Sequence, residues 1–338
     1  MKYSTSVALA TYNGERYIVE QLTSILNQSH SVDEVVIYDD RSSDNTVKVI
    51  KEFIEHHKLN TWSIVINESN IGFCNNFWKA ITRSSGDIVF LSDQDDVWYK
   101  DKVSEMLNLF QDETINMVAS SYDICDADGK IDSSRIRWHR DKNDSGIEDI
   151  NFDNLIIGSR IRGCSVGFRK SIIENENLLD LHDSLGHDWL LTCYASLKGR
   201  AVFFNKILFK YRIHDSNSSS VRRSGTRQTL SVATIKTVKQ LTNESYAFST
   251  LSKHTLVDQQ RKLLLRERAN FSLRRAYLYK RFGIIKCVQL SFNLKMYTNL
   301  SRHGVLGGIL IYLKDIKSSI QVSSLNRREA ATNEGVVS

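Results

Sequence analysis

Three carboxylates fall within four positions at Ser92-Asp93-Gln94-Asp95-Asp96-Val97, closed by Trp98 and directly preceded by the apolar run Ile88-Val89-Phe90-Leu91. Such a run reads as a strand buried on both faces, which puts the acids where the strand ends and the chain turns. Like charges this close repel and raise one another's pKa unless a cation lies between them. A hard divalent cation with oxygen ligands is the simplest remedy, and Mg²⁺ usually divides its shell between one or two carboxylates and substrate phosphates. The spacing therefore points to a metal–diphosphate site. The competing reading, a solvated acidic turn, does not account for the buried strand that delivers it.

Those acids need a frame, and the first half of the chain supplies one. Val7-Ala8-Leu9 reads as a strand, followed by a helical stripe through Tyr17, Ile18, Gln21, Leu22, Ile25 and Leu26. Val35 to Tyr38 is a second strand, and the turn Asp39 to Asp44 leads into a helix carrying Val47, Ile50, Phe53 and Ile54. Trp62 to Ile66 is a third strand, before a helix through Phe77, Trp78 and Ile81. This alternation predicts an α/β fold with a mostly parallel sheet and helices on both faces. Ligands bind outside the carboxyl ends of such strands, and the chemistry-bearing residues fall there. Ala10-Thr11-Tyr12-Asn13-Gly14 offers an aromatic face for a base beside short polar groups. Asp39-Asp40 offers a carboxylate to a nucleobase N–H, or caps a helix. Asn70-Ile71-Gly72-Phe73 follows the third strand.

From Met117 to Arg212 the pattern becomes mixed, with Met117-Val118-Ala119 and Ala201 to Phe204 as further strands and a polar, loop-rich region at Asp126 to Asp149. Gly186-His187-Asp188-Trp189 places an acid at the mouth of an apolar helical run, as a reactive group or a helix cap. Residues 216–229, rich in Ser, Asn and Arg and including Arg222 and Arg223, read as a mobile linker or lid. Residues 230–322 read as helical and 323–338 as a polar tail. Between Arg261 and Lys286 nine basic side chains interleave with leucines and aromatics, a basic amphipathic stretch suited to an anionic membrane surface. The alternative is that these helices pack on their own domain with their charges in water. No apolar run approaches the roughly 20 residues needed to span a bilayer.

The strings Asn70-Ile71-Gly72, Asn76-Phe77, Gly86-Asp87-Ile88 and Ser92 to Trp98 resemble the family 2 glycosyltransferases with the GT-A fold, and within them the bacterial rhamnosyltransferase-type branch. The likeness covers residues 1–215, which it implies are a GT-A nucleotide-diphospho-sugar transferase domain. It implies that Ala10, Thr11, Tyr12, Asn13, Asn70, Gly72 and Gln94 line the nucleotide-sugar pocket and that Asp40 hydrogen-bonds a pyrimidine. Asp95 would be the direct ligand of Mg²⁺ or Mn²⁺, Asp93 would bind the ribose or join the metal shell, and Asp96 has no assigned role. The likeness further implies that His214 contacts the metal or diphosphate, that Gly163 lies in a loop beneath the donor and acceptor sugars, and that Asp188 is the base of an inverting transfer. The donor so implied is dTDP-L-rhamnose, with a UDP-hexose as the alternative. The acceptor is a polyprenyl-diphosphate-linked saccharide in O-antigen or capsule synthesis. A non-catalytic, membrane-associated relative is the rival outside enzymology.

Composition narrows the remaining classes. The net charge of +6 comes with no nucleic-acid reading motif, so no nucleic-acid partner is expected. The start of the first strand lacks the glycine-rich basic loop of a nucleotidyltransferase. Five cysteines without a CxxC pair fit reduced thiols, and the chain enters a strand almost at once, so a cytoplasmic enzyme peripheral on the inner face of the bacterial plasma membrane is expected. Proline is absent, so turns must be built from Gly, Asn, Asp and Ser.

Overall fold

The computed structural model describes residues 3–133, 146–159, 161–174, 181–215, 230–280, 290, 296–297, 306 and 308–320. The expected linker 216–229, with Arg222 and Arg223, and the polar tail 323–338 lie outside them. The chain divides into two compact units, one of Met1–Phe152 with Arg160–Ser224 and one of Asp153–Ser159 with Gly225–Ser338.

The first unit begins with β1 (Thr5–Thr11), α1 (Ile18–Leu26), β2 (Glu34–Asp39), α2 (Thr46–His56), β3 (Trp62–Ile66), α3 (Phe73–Arg83) and β4 (Ile88–Asp93). β3, β2, β1 and β4 lie side by side in that order, all parallel. Strand β1 makes this arrangement possible because Val7, Ala8 and Leu9 are fully buried and both sheet faces are covered. Helix α1 buries Ile18, Gln21, Leu22 and Ile25, the i, i+3, i+4, i+7 stripe of one helical face. The chain leaves β1 toward β2 and β3 on one side, then returns to β4 on the other. That reversal makes the β1/β4 boundary the topological switch point, the place where α/β sheets open a ligand crevice. Ala10 is level with Asp93, and Thr11 with Asp39.

The chain continues through β5 (Val97–Trp98), α4 (Lys102–Leu109), β6 (Ile115–Cys125), β7 (Ile147–Asp149), α5 (Phe152–Ile157), β8 (Val166–Arg169), α6 (His182–Leu185), α7 (His187–Lys198) and β9 (Arg200–Arg212). Strand β8 runs antiparallel between β4 and β6, and β9 lies parallel to β6 with β5 on its far edge. The strands expected at Met117–Ala119 and Ala201–Phe204 are thus the opening parts of much longer ones. Gly167 permits the β8–β4 packing, since a Cβ there would sit 2.7 Å from the Phe90 ring.

In the second unit α8 (Leu230–Leu251) and α9 (Gln259–Lys280) are followed by α10 (308–320). Leu241, Ala276 and Tyr279 form one buried cluster, and Phe271, Leu278, Leu290 and Tyr297 form another. The basic stretch in α9 is not a row of solvated charges. Arg268 is buried and donates to Glu244 Oε2 and to the Ile156 carbonyl, both at 3.1 Å. Arg275 donates to the buried Asp315 at 2.7 Å, and the hydroxyls of Tyr279 and Tyr297 complete that carboxylate's shell at 2.8 Å each. Two of the basic residues therefore face inward, because acids distant in sequence meet them there.

Candidate nucleotide-sugar site

At the end of β1 the chain is held by side chains rather than by strand pairing. The Tyr12 N–H donates to Gln94 Oε1 at 2.8 Å, and the Gln94 amide donates back to the Tyr12 carbonyl at 3.0 Å. Gln94 thus extends the β1–β4 ladder by one rung. Tyr12 itself stays 48% exposed at the switch point, where its ring is available for stacking. Asn13 takes a φ of +48°, which asparagine tolerates, and accepts from Ser43 N–H at 2.8 Å while its own N–H donates to Ser42 Oγ. Ala10 and Thr11 close β1, and Thr11 donates to Asp39 at 2.8 Å.

Asp39 and Asp40 divide their work. Asp39 accepts from Ser42 N–H, Ser42 Oγ and Thr11 Oγ1, and so fixes the turn after β2. Asp40 accepts the Ile71 N–H at 2.8 Å and the Asn67 amide at 3.1 Å on Oδ1, and the Gly72 N–H at 2.8 Å on Oδ2. Its buried carboxylate holds the Asn70–Gly72 loop in place. Gly72 takes φ +85° at the start of α3, which only glycine adopts without strain, and Asn70 is exposed beside it.

The acidic turn is the electrostatic centre. One ligand atom from each of Asp93, Asp96 and Cys164 lies within 4.8 Å of the others. Burial first, then the charge of Asp95, pushes Asp93 from the ordinary 3.8 up to about 7; Asp188 pushes the same way, while Cys164 and Arg162 pull back. Asp96 is raised well above the carboxylate range by burial and then by Asp93 and Asp95. Asp96 Oδ1 accepts the Arg212 N–H at 3.2 Å, whereas Oδ2 is buried with no N–H or O–H donor. Asp95 is buried, and its Oδ2 lies 2.8 Å from His214 Nε2.

These observations test whether a divalent cation fits. Among the described residues the carboxylates whose oxygens converge are Asp93 and Asp96, the latter with a buried oxygen that has no N–H or O–H donor, and this oxygen pair suits Mg²⁺ or Mn²⁺; Asp95, two residues from Asp93 and paired with His214, stands outside the converging group. Cys164 does not compete as a thiolate, because burial and the adjacent carboxylates hold its thiol protonated. The residues fit the cation.

Two buried cations frame the cluster. The Lys102 ammonium donates to the Cys164 carbonyl at 2.8 Å and sits over the Trp98 and Phe209 rings at 4.1 and 4.5 Å. Burial lowers its pKa to about 8 despite the pull of Cys164, Asp96 and Asp93. Arg212 donates to the Asp95 carbonyl at 2.8 Å and the Ala127 carbonyl at 2.9 Å, pairs with Glu20, and lies over Tyr17 at 4.8 Å. It therefore fixes the turn that presents Asp95. Arg162 donates to Tyr122 Oη at 2.8 Å and stacks over Tyr211 at 4.1 Å. Lys102, Arg162 and Arg212 carry no motif; Arg212 stands next to a recognisable Ile213-His214 and was otherwise unmarked.

Asp188 enters on α7. Gly186, at φ +90°, is the helix N-cap, and Asp188 sits in the first turn with Oδ1 accepting the Trp189 N–H at 2.8 Å. A carboxylate there is favoured by the helix dipole. Its charge adds, as the least of the causes, to the upward push on Asp93. Gly163 lies against this pair, because a Cβ on it would meet His187 Nε2 at 2.8 Å and Asp188 Cβ at 3.7 Å. The His187 ring cannot retreat easily, being stacked on Phe77 with centroids 4.5 Å apart. Gly163→Ala is accordingly expected to cost about 1–3 kcal/mol of stability in urea unfolding. It is also expected to lower turnover by up to about 10²-fold through displacement of Asp188, with nucleotide affinity retained.

The raised carboxylates give a pH signature. Asp93 binds its proton more tightly folded than unfolded, so its favourable contribution is complete below pH 3.8 and is lost as pH rises to about 7. Asp44 and Asp87 have depressed values through hydrogen bonds and act only at and below their ordinary value of 3.8, a separate window. The metal-free melting temperature is therefore expected to fall between about pH 5 and pH 7.5, and the increase on adding Mn²⁺ to grow over the same interval. Differential scanning fluorimetry across that range measures both.

The parallel order β3-β2-β1-β4, the antiparallel β8 beside β4 and the acidic turn at the end of β4 are those of a GT-A fold. Residues 6–175 match the family described as glycosyl transferase family 2, and the chain belongs to that family of glycosyltransferases. It is similar to dTDP-rhamnosyl transferase RfbG of Shigella flexneri, 29% identical over 226 residues that make up 62% of this chain and 72% of that protein. Among solved structures, S. aureus TarS 1–349 in complex with UDP-GlcNAc aligns with a TM-score of 0.61 at 17% identity, over 96% of this chain and 92% of its own. Mannosyltransferase PcManGT from Pyrobaculum calidifontis, in complex with GDP-Man and Mn²⁺, aligns with a TM-score of 0.54 at 15% identity, over 95% and 87%. At such identities these two establish the fold alone.

Proposed function

We propose that this enzyme is an inverting, metal-dependent glycosyltransferase of bacterial surface-polysaccharide synthesis. It moves L-rhamnose from dTDP-L-rhamnose to a saccharide carried on a polyprenyl diphosphate. The observation that carries the reading is that Gly163 packs against Asp188 while its neighbour Cys164 lies within ligand distance of Asp93 and Asp96, so that the base and the acidic turn flank one loop. The similarity to RfbG supports the rhamnosyl donor. A UDP-hexose donor is the second reading, since Tyr12 and Asp40 would meet uracil as they would thymine.

Tyr12 stacks on the base and Asp40 accepts from a pyrimidine N–H with the acceptor site left on Oδ2. Ala10, Thr11, Asn13, Asn70, Gly72 and Gln94 shape the nucleotide pocket, and Gly163 lies beneath the sugars. Asp95, Asp93 and His214 hold the cation, with Asp96 completing the anionic cluster. When bound, the cation supplies Lewis-acid stabilisation of charge on the leaving diphosphate. The Asp188 carboxylate takes the proton of the acceptor hydroxyl as that oxygen bonds the anomeric carbon; the bond from that carbon to the diphosphate breaks, and its electron pair leaves with the nucleoside diphosphate. Residues 1–215 carry the catalytic site, and the helical region within 230–322 keeps the enzyme at the inner face of the plasma membrane.

The test is transfer by the full chain from dTDP-L-rhamnose, UDP-GlcNAc and UDP-glucose to a polyprenyl-diphosphate-linked acceptor with Mn²⁺ or Mg²⁺. Nucleoside diphosphate release and the product's anomeric configuration are the readouts. A product of configuration opposite to the donor's, formed only with metal, is expected. Retention of configuration, or undiminished turnover in EDTA, would reject the reading.

A further inference from the structure

Helix α10 is pinned by one side and bare on the other. Asp315, buried at 2% exposure, receives Arg275, Tyr279 and Tyr297, and Ser319 one turn later is fully buried. The opposite side carries Leu310, Leu313 and Ile320, exposed by 67, 52 and 47%. Their spacing of three and seven residues keeps them on one face of the helix. Lys314 and Lys317 are exposed along the same stripe, while the only acid in 308–320 is the inward Asp315. A fixed inner face, an outer row of leucines and isoleucine and two unopposed lysines fit one environment, the boundary between anionic headgroups and acyl chains. Lysine stems lie along apolar surface there with their ammonium groups among phosphates. Thirteen residues reach only about 20 Å as a helix, so α10 can lie in that boundary but not cross it, and among the described residues no helix is long and apolar enough to span.

We propose that the outer face of α10, carried by Leu310, Leu313, Lys314, Lys317 and Ile320, is the surface that docks this enzyme on an anionic lipid bilayer. This places the contact on α10 rather than on the basic stretch of α9, where Arg268 and Arg275 are committed to buried acids. The inference rests on the membrane contact in the reading above, and not on its donor or metal.

The experiment is co-sedimentation of the full chain with phosphatidylcholine vesicles, with and without phosphatidylglycerol, in parallel with donor consumption. The wild type is expected to bind only the phosphatidylglycerol vesicles, and less as salt rises. Lys314→Glu/Lys317→Glu should weaken binding by about 25-fold or more, taking about fivefold for each lysine lost. Leu310→Glu/Leu313→Glu should weaken it by more than about tenfold. Both variants should keep wild-type circular dichroism and wild-type donor hydrolysis. Wild-type binding by either variant, or no binding by the wild type, overturns the proposal. So does loss of self-association in the leucine variant with vesicle binding intact, since the face would then join two copies of this chain. An enzyme that consumes nucleotide sugar yet ignores vesicles defeats this proposal alone; one that binds vesicles through α10 yet consumes none defeats only the functional reading.

Discussion

Asp188→Asn is expected to reduce kcat by about 10²–10⁴-fold while donor affinity changes by less than about threefold. Asparagine matches aspartate in shape and keeps an oxygen to accept the Trp189 N–H, so the first turn of α7 should survive. What disappears is the capacity to take a proton from the acceptor hydroxyl. Removing the charge also relieves Asp93, which Asp188 helps to push upward, so metal-free protein should be no less stable than the wild type. Pre-steady-state measurement of nucleoside diphosphate release, with donor affinity from calorimetry, separates the two quantities. Normal turnover would remove Asp188 from the role of base and leave it a helix-terminus carboxylate.

Asp95→Ala is expected to abolish metal-dependent transfer, a loss of at least about 10³-fold given the several kcal/mol that Lewis-acid stabilisation contributes. Two effects on the fold oppose each other: the deletion removes repulsion and also the buried Asp95–His214 hydrogen bond. Burial is the largest cause of the raised pKa values at Asp93 and Asp96, but the Asp95 charge adds to both. The metal-free variant should therefore stay folded, melt near the wild-type temperature and gain nothing from Mn²⁺. A carboxylate whose removal leaves the fold standing and ends the reaction is there for function. Loss of activity together with a large drop in melting temperature would instead mark Asp95 as structural.

The parts of the molecule legible in the sequence are those encoded locally. The runs Val7–Leu9, Val35–Tyr38 and Ile88–Leu91 announce buried strands because every residue in them is apolar, and the acids follow at once in the chain. Gly186-His187-Asp188 announces a helix start for the same reason. The rest depends on residues that meet across the sequence. Arg212 reaches back to Asp95, Ala127 and Glu20. Lys102, which no motif marks, is buried beside the acid cluster with its ammonium on the Cys164 carbonyl. Asp40 reads as a base-binding or capping acid, yet its first contacts are the backbone amides of Ile71 and Gly72. Asp96 could not be assigned from spacing, since only the folded turn shows Oδ2 buried beside Asp93 and Cys164. The basic stretch of α9 reads as a membrane face because local pattern cannot reveal that Glu244 and Asp315 await Arg268 and Arg275.

The central claim is that the acidic turn binds a nucleoside diphosphate through a divalent cation held by Asp95. Titration calorimetry of dTDP into the full chain, with Mn²⁺ and with EDTA, and again with Asp95→Ala, tests it most directly. Binding by the wild type in Mn²⁺, weakened by at least about a hundredfold in EDTA and equally weak for Asp95→Ala under both conditions, is the predicted result. Equal affinity of the wild type with and without metal, or full Mn²⁺-dependent affinity in Asp95→Ala, would contradict it.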